Sequence, residues 1–195
     1  ISMIFRSIPS QLSRENKKFL YKVVKKGARA REYEDALQWL VDAGIVHKIY
    51  RSTAPSLPLI AYDDISAFKI YLADVGLLRK LCQLSPRAFG EKNRLFTEFK
   101  GALTENFVLQ SLICQSDLTP RYWSLNNPSY EVDFLVQKEN DIYPVEVKAE
   151  SNTRATSLKK FEELFSDKVK LRIRYTLDNL KLGGGVLYIP LFMLD

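Results

Sequence analysis

Two acidic residues and a lysine lie in neighbouring apolar segments of the chain. Asp133 has apolar neighbours on both sides, and Glu146 and Lys148 flank Val147. Successive side chains of a strand alternate between its two faces, so Glu146 and Lys148 would point to the same side. If the two segments pair as a hairpin, Asp133 comes beside Glu146. Two carboxylates and one ammonium group would then share one small surface.

This grouping predicts a metal-dependent phosphodiesterase. Two close carboxylates repel each other, and a divalent cation is the usual group that makes such a cluster favourable. We therefore expect Asp133 and Glu146 to bind Mg²⁺ or Mn²⁺, with Lys148 stabilising the attacking water or the developing charge. The chain has one histidine and two cysteines with no CxxC pair, which argues against zinc. The alternative is an exposed ion-pair cluster of little energetic value.

The residue patterns also predict the elements that carry these groups. Their order is α-β-β-β-α-β, with a helix at 95–115, strands at 121–125, 130–137 and 142–147, a helix at 153–165 and a strand at 169–177. Glu105 falls on the apolar face of the first helix, which is unusual for an acid. The alternative places the Glu105 side chain in solvent or in a local hydrogen bond.

Positive charge is concentrated in the first half of the chain. Residues 1–95 contain 17 Lys or Arg against 9 Asp or Glu, whereas residues 96–195 contain 12 against 14. A basic surface can bind a phosphate backbone without reading its sequence. The alternatives are a solvated helix face and a surface for another domain. The residues that we predict to contact nucleic acid, DNA in the first instance, are Lys17, Lys18, Lys22, Lys25, Lys26, Arg29 and Arg31.

The first ninety residues have the pattern of a winged helix. The periodicity predicts helices at 14–26 and 31–43, a strand at 45–50, a loop at 52–58, a return strand at 59–62, an apolar run at 69–72 and a short helix at 73–85. In this interpretation helix 31–43 takes the DNA-recognition position and loop 52–58 is the wing. We therefore predict a mixed α+β or α/β protein with two domains, residues 1–90 and 91–195.

Composition limits the class of protein further. The chain has 195 residues, 46% of them hydrophobic, and a net charge of +6, so a folded core is expected. No apolar run approaches the roughly 18 residues of a membrane span, and two unpaired cysteines fit a reducing cytoplasm. The first residues do not resemble a natural start, and we expect the chain to be part of a longer protein.

The acidic and lysine positions resemble the motif of the PD-(D/E)XK nuclease superfamily. In that motif an acid near the end of one strand is followed by acid-x-lysine on the next, here Asp133 and then Glu146-Val147-Lys148, although Val132 replaces the proline of the motif. The resemblance implies a restriction endonuclease-like core. It also implies that an acid on the first helix joins the site, so Glu105 would be an auxiliary metal ligand or base.

Residues from about 10 to 190 resemble the C-terminal region of a group of prokaryotic AAA+ ATPases. The resemblance depends on four stretches, at positions 69–78, 101–108, 131–134 and 145–148. It implies ATP-dependent work on DNA or a partner, driven by an N-terminal AAA+ domain that would bind the ATP. This chain has no Walker A lysine motif, so we expect no ATPase activity from it alone. The alternative function is a catalytically silent DNA- or protein-binding regulatory module of the ATPase.

Overall fold

A computed structural model describes residues 1–14, 17–85, 94–116, 119–126, 129–149 and 156–194. These ranges contain six α-helices and eight β-strands. The helices are α1 Ser2–Leu12, α2 Tyr21–Val24, α3 Ala30–Asp42, α4 Val75–Leu81, α5 Arg94–Ser116 and α6 Thr156–Phe165. The strands are β1 Val46–Ser52, β2 Asp63–Leu72, β3 Arg121–Asn126, β4 Ser129–Lys138, β5 Asp141–Val147, β6 Arg172–Thr176, β7 Lys181–Gly183 and β8 Val186–Pro190.

The chain divides into two compact units. Unit 1 comprises Ile1–Lys48 and Ala67–Gln110, and unit 2 comprises Ile49–Ser66 and Ser111–Asp195. The strand order is β2-β1-β3-β4-β5-β6-β8-β7, with both parallel and antiparallel neighbours. A mixed α+β protein is therefore confirmed. The domain boundary at residue 90, the winged helix and the PD-(D/E)XK core stay predictions.

Unit 2 is built on the strands of the predicted hairpin and on α6. The element order α5-β3-β4-β5-α6-β6 agrees with the order predicted from the sequence, although the first residues of predicted helix 153–165 lie outside the described residues. Helix α6 buries Leu158 and Phe161 against the sheet, where the Phe161 ring meets that of Trp123 edge-on at 5.0 Å. Burying these apolar side chains packs α6 on the hairpin and so helps to position β4 and β5.

The N-terminal segment of unit 1 differs from the prediction. A helix at 14–26 is wrong: described residues 17–20 form no regular secondary structure, and only the single turn α2 follows. The Phe19 N–H donates to the Phe68 carbonyl at 2.8 Å, and the two rings stack. The Gln11 side chain, on the unpredicted helix α1, hydrogen-bonds both the N–H and the carbonyl of Leu20. These long-range bonds outweigh the local helical periodicity.

The next segments follow the prediction more closely, with one exception. Helix α3 confirms the predicted helix 31–43, and Gly44 at φ 67° lies just beyond its end. The predicted return strand at 59–62 is wrong, because those residues form a turn of 3₁₀-helix and the strand β2 begins at Asp63. The Leu59 N–H donates to the Gln137 side chain, a contact that no local pattern encodes.

Candidate functional site

The β4–β5 hairpin brings the two predicted acids together. The antiparallel register pairs Phe134 with Val145, and the pairing continues to the turn at the end of β4. The paired residues end at Phe134 and Val145, so Asp133 and Glu146 are the next residues of their two strands beyond the ladder. The predicted hairpin is therefore confirmed, and the carboxylates of Glu146 and Asp133 both lie near enough to Lys148 to raise its pKa.

A β-bulge lies at Asp133. In the β3–β4 ladder Trp123 pairs with Val132 and Arg121 with Leu135, so one residue of β3 faces both Asp133 and Phe134. Such a bulge redirects the side chains of the longer strand. The Asp133 Oδ2 atom accepts a hydrogen bond from the Val147 backbone N–H at 2.8 Å. One carboxylate oxygen of Asp133 thus ties β4 to β5 next to Glu146.

Glu146 is buried between two cations. Its residue is 3% exposed, its Oε1 lies 3.1 Å from Lys148 Nζ, and its Oε2 lies 3.2 Å from Arg174 Nε. Arg174 is 2% exposed and stands directly opposite Glu146 in the parallel β5–β6 ladder. Two negative and two positive side chains therefore balance one another on this face. The sequence interpretation missed Arg174; the only indication was its place among the charged residues that alternate with apolar ones in the strand predicted at 169–177.

Lys148 has 42% of its side chain exposed, compared with 4% for Glu146. Burial lowers its pKa, but the nearby carboxylates of Glu146 and Asp133 raise it by more, so the net shift is upward. The ammonium group is therefore charged at neutral pH, and it can attract an anion such as a phosphate. It is not suited to act as a general base there.

The described residues do not fit a preformed metal centre. No group of three His, Cys, Asp or Glu side chains converges within the described ranges. Asp133 directs one oxygen to the Val147 N–H, and both oxygens of Glu146 face cations. The repulsion between the carboxylates, from which Mg²⁺ or Mn²⁺ was inferred, is here relieved by Lys148 and Arg174.

Glu105 lies in unit 1 within a charged cluster. Its residue is 6% exposed, so the solvent-exposed alternative is wrong. The carboxylate forms an ion pair with Lys17 and accepts a hydrogen bond from the Tyr71 hydroxyl at 3.2 Å. Burial raises the pKa of Glu105, but Lys17 and the buried Lys69 lower it by more, so it falls below its usual range. Glu105 is therefore an ionised, engaged group, and its role as an auxiliary ligand or base stays a prediction.

The basic residues predicted to contact nucleic acid separate into two sets. Lys17 is largely buried on Glu105, and Lys18 is half-buried. The others are exposed, namely Lys22, Lys25, Lys26, Arg29 and Arg31. We call these five residues the basic segment. It runs from α2 to the first turn of α3.

The comparisons with known proteins give two domain matches, each over less than half of the chain, and no activity. Residues 100–194 match a domain of unknown function (DUF4143), which is found in proteins associated with AAA-type ATPases. Residues 1–88 match another domain of unknown function (DUF8612). No curated protein and no solved structure matches the chain. Among the described helices, none has the length and apolar character needed to cross a membrane.

Proposed function

We propose that this chain is a nucleic-acid-binding module of an AAA-type ATPase, with a nuclease-like unit that is catalytically silent. The observation that carries the proposal is the charge balance around Glu146. A carboxylate that is buried between Lys148 and Arg174 has its negative charge neutralised by the protein itself. A divalent cation would have to compete with these two cations for the oxygens of Glu146 and would separate the buried Arg174 from this carboxylate.

Binding to nucleic acid is assigned to exposed positive charge rather than to the acidic pair. The basic segment offers five cations, and its exposed ammonium and guanidinium groups can reach phosphates without disturbing the core. The ionised ammonium of Lys148 is a further anion contact on unit 2. Association of this kind depends strongly on salt and weakly on base sequence, which suits a module that accompanies an ATP-driven motor.

A second candidate is the Mg²⁺-dependent phosphodiesterase. It is favoured by the approach of Asp133 to Glu146 at the bulge, with the charged Lys148 beside them. Mg²⁺ is often bound by only one or two carboxylates together with substrate phosphates. In this version the cation enters with the nucleic acid and the Glu146 contacts rearrange.

Titration calorimetry with Mg²⁺ or Mn²⁺, with and without a duplex oligonucleotide, distinguishes the two candidates. The wild type is compared with Asp133→Ala/Glu146→Ala and with Glu163→Gln/Asp167→Asn, which removes two exposed acids elsewhere in unit 2. For the silent module we expect no binding heat that is specific to Asp133 and Glu146. Binding that is lost only in the first variant, with cleavage of DNA or RNA, would establish the phosphodiesterase instead.

The DNA part of the proposal is tested by fluorescence anisotropy with a labelled duplex at several salt concentrations. Lys25→Ala/Lys26→Ala is expected to weaken binding and to reduce the slope of log K against log salt by about 2. The matched variant Lys138→Ala/Lys159→Ala removes two exposed lysines of unit 2 and should leave the slope close to that of the wild type. A flat binding curve for the wild type at low salt would show that the chain does not bind duplex DNA and would refute this part of the proposal.

A further inference from the structure

Helix α3 carries a stripe of exposed side chains with a tryptophan at its centre. Asp35, Gln38, Trp39 and Asp42 are spaced three and four residues apart, so they lie along one face of the helix. Trp39 is 52% exposed, whereas Leu37 on the opposite side is 1% exposed. The helix is therefore held in unit 1 by its apolar face, and its other face presents a large aromatic ring to solvent.

The exposed acidic residues of α3 are unfavourable for DNA recognition by this helix. Exposed acids on α3 are Glu32, Glu34, Asp35 and Asp42, and Arg31 is the exposed cation at its first turn. A helix in the major groove approaches phosphates on both sides and reads bases with arginine, lysine, asparagine or glutamine. Four carboxylates on such a helix would be repelled by the DNA backbone. The recognition position predicted for α3 is therefore electrostatically unfavourable.

Local hydrogen bonds shape the two ends of the helix. The Glu32 carboxylate accepts the Arg29 backbone N–H at 3.1 Å and so caps the start of α3. The Gln38 side chain donates to Asp42 Oδ1 at 2.7 Å, which holds this carboxylate on the same face as Trp39. A carboxylate can accept several hydrogen bonds, so Asp42 keeps acceptor sites for a partner. Trp39 is thus flanked by Asp35 one turn before it and by an oriented Asp42 after it.

We propose that this face of α3 is a docking site for a protein segment that presents an arginine. A guanidinium group can stack on the indole of Trp39 and, with its planar fork of N–H donors, bond to the carboxylate of Asp35 or Asp42. A lysine ammonium lacks both the planar stacking and the bidentate geometry. Tryptophan is also among the residues that contribute most to protein interfaces. The partner is therefore an arginine-bearing polypeptide, and this surface is distinct from the basic segment that is proposed to bind nucleic acid.

The test uses fluorescein-labelled deca-arginine as the probe, with deca-lysine as a charge-matched comparison, and fluorescence anisotropy of the full chain. We expect deca-arginine to bind more tightly than deca-lysine. Trp39→Ala should weaken the binding of deca-arginine by about fivefold, so that deca-arginine no longer binds more tightly than deca-lysine. Asp35→Asn/Asp42→Asn should weaken the binding of both peptides. The control Glu163→Gln/Asp167→Asn makes the same charge change on exposed acids of unit 2 and should behave as the wild type.

Two results would overturn the assignment. If Asp35→Asn/Asp42→Asn and the unit 2 control lost the same amount of peptide affinity, binding would depend only on the overall charge of the chain. If Trp39→Ala lost duplex DNA binding while its peptide binding was unchanged, α3 would be a nucleic-acid contact and not a peptide-docking site. The side chains concerned are exposed, so the variants should fold; circular dichroism checks that they do. Because the basic segment is intact in every variant, failure of this proposal leaves the proposed function untouched, and the reverse also holds.

Discussion

The ion pair between Lys17 and Glu105 should contribute strongly to the stability of unit 1, and Glu105→Gln tests this. Glutamine keeps the size of the side chain but removes its charge. In the variant Lys17 loses the carboxylate with which it forms an ion pair. The fully buried Lys69 loses a nearby negative charge. The Glu105 carboxylate also accepts a hydrogen bond from the Tyr71 hydroxyl, and the amide oxygen of glutamine can still accept it.

The size of the effect follows from the burial of these groups. Removing one partner of a buried ion pair costs about 3–5 kcal/mol, because the other charge stays buried without compensation. Lys17 has 15% of its side chain exposed and can move towards water, which places the expected loss at the lower end. We therefore expect the free energy of unfolding to fall by about 3 kcal/mol at pH 7. Glu163→Gln, a change at an exposed acid of α6, should alter it by less than about 0.5 kcal/mol.

The effect should depend on pH in a defined direction. The pKa of Glu105 is lowered in the folded protein. Its ionised form therefore stabilises the fold fully above the unfolded pKa, which is 4.5, and this contribution is lost as pH falls through the folded pKa. The difference between wild type and Glu105→Gln should be constant near neutral pH and should shrink below about pH 4.5.

Urea unfolding followed by circular dichroism measures the overall change. Amide exchange at Leu72, whose N–H donates to the Asn106 side chain, reports on unit 1 directly. Equal stability of Glu105→Gln and wild type at pH 7 would refute the reasoning. So would a difference that persists unchanged into strong acid, because it could not come from an ionised carboxylate. The first result would favour a functional rather than a structural role for Glu105, and the second would show that its contribution to stability does not come from its charge.

Two further predictions concern a glycine and the cysteines. A Cβ atom at Gly185 would lie 2.6 Å from Arg172 Nη2, and its φ of 71° disfavours other residues, so Gly185→Ala should lower the free energy of unfolding by about 1–3 kcal/mol. Gly183→Ala, which meets nothing within 4 Å, should cost less than half as much in the same urea titration, and equal losses would contradict the clash. Burial raises the pKa of Cys82 from 9.0 to about 11, so its thiolate fraction at pH 8 is about 100-fold lower than that of an ordinary thiol. Iodoacetamide at pH 8 should therefore modify the exposed Cys114 first, as mass spectrometry of timed samples would show; faster labelling of Cys82 would be inconsistent with its burial.

Much of the local structure was predictable from the sequence. The helix α3 has a strong apolar periodicity and a glycine stop, and the β4–β5 hairpin has alternating residues around a short polar turn. These signals depend only on near neighbours in the chain. The hairpin also places Asp133 and Glu146 on adjoining strands, so the acidic half of the candidate site could be predicted from the sequence.

The charge balance of that site was decided by tertiary structure. Arg174 reaches Glu146 because β6 pairs in parallel with β5 after the chain has crossed over through α6, and that register is not encoded by any short pattern. The bulge at Asp133 arises from the match between β3 and β4. The sequence therefore indicated two acids and a lysine and suggested a metal, while the fold supplied a second cation beside Glu146.

The N-terminal segment shows the same limit. Its periodicity indicated a helix through Phe19, but that residue pairs with Phe68, and Lys17 pairs with Glu105 from far along the chain. Local helix propensity amounts to only tenths of a kcal/mol per residue, so a few buried contacts can override it. What the sequence by itself determined was the set of locally periodic elements and the composition of their faces. Which charges meet in the interior was decided by long-range packing alone, because burial makes every unpaired charge costly and selects the arrangement that compensates it.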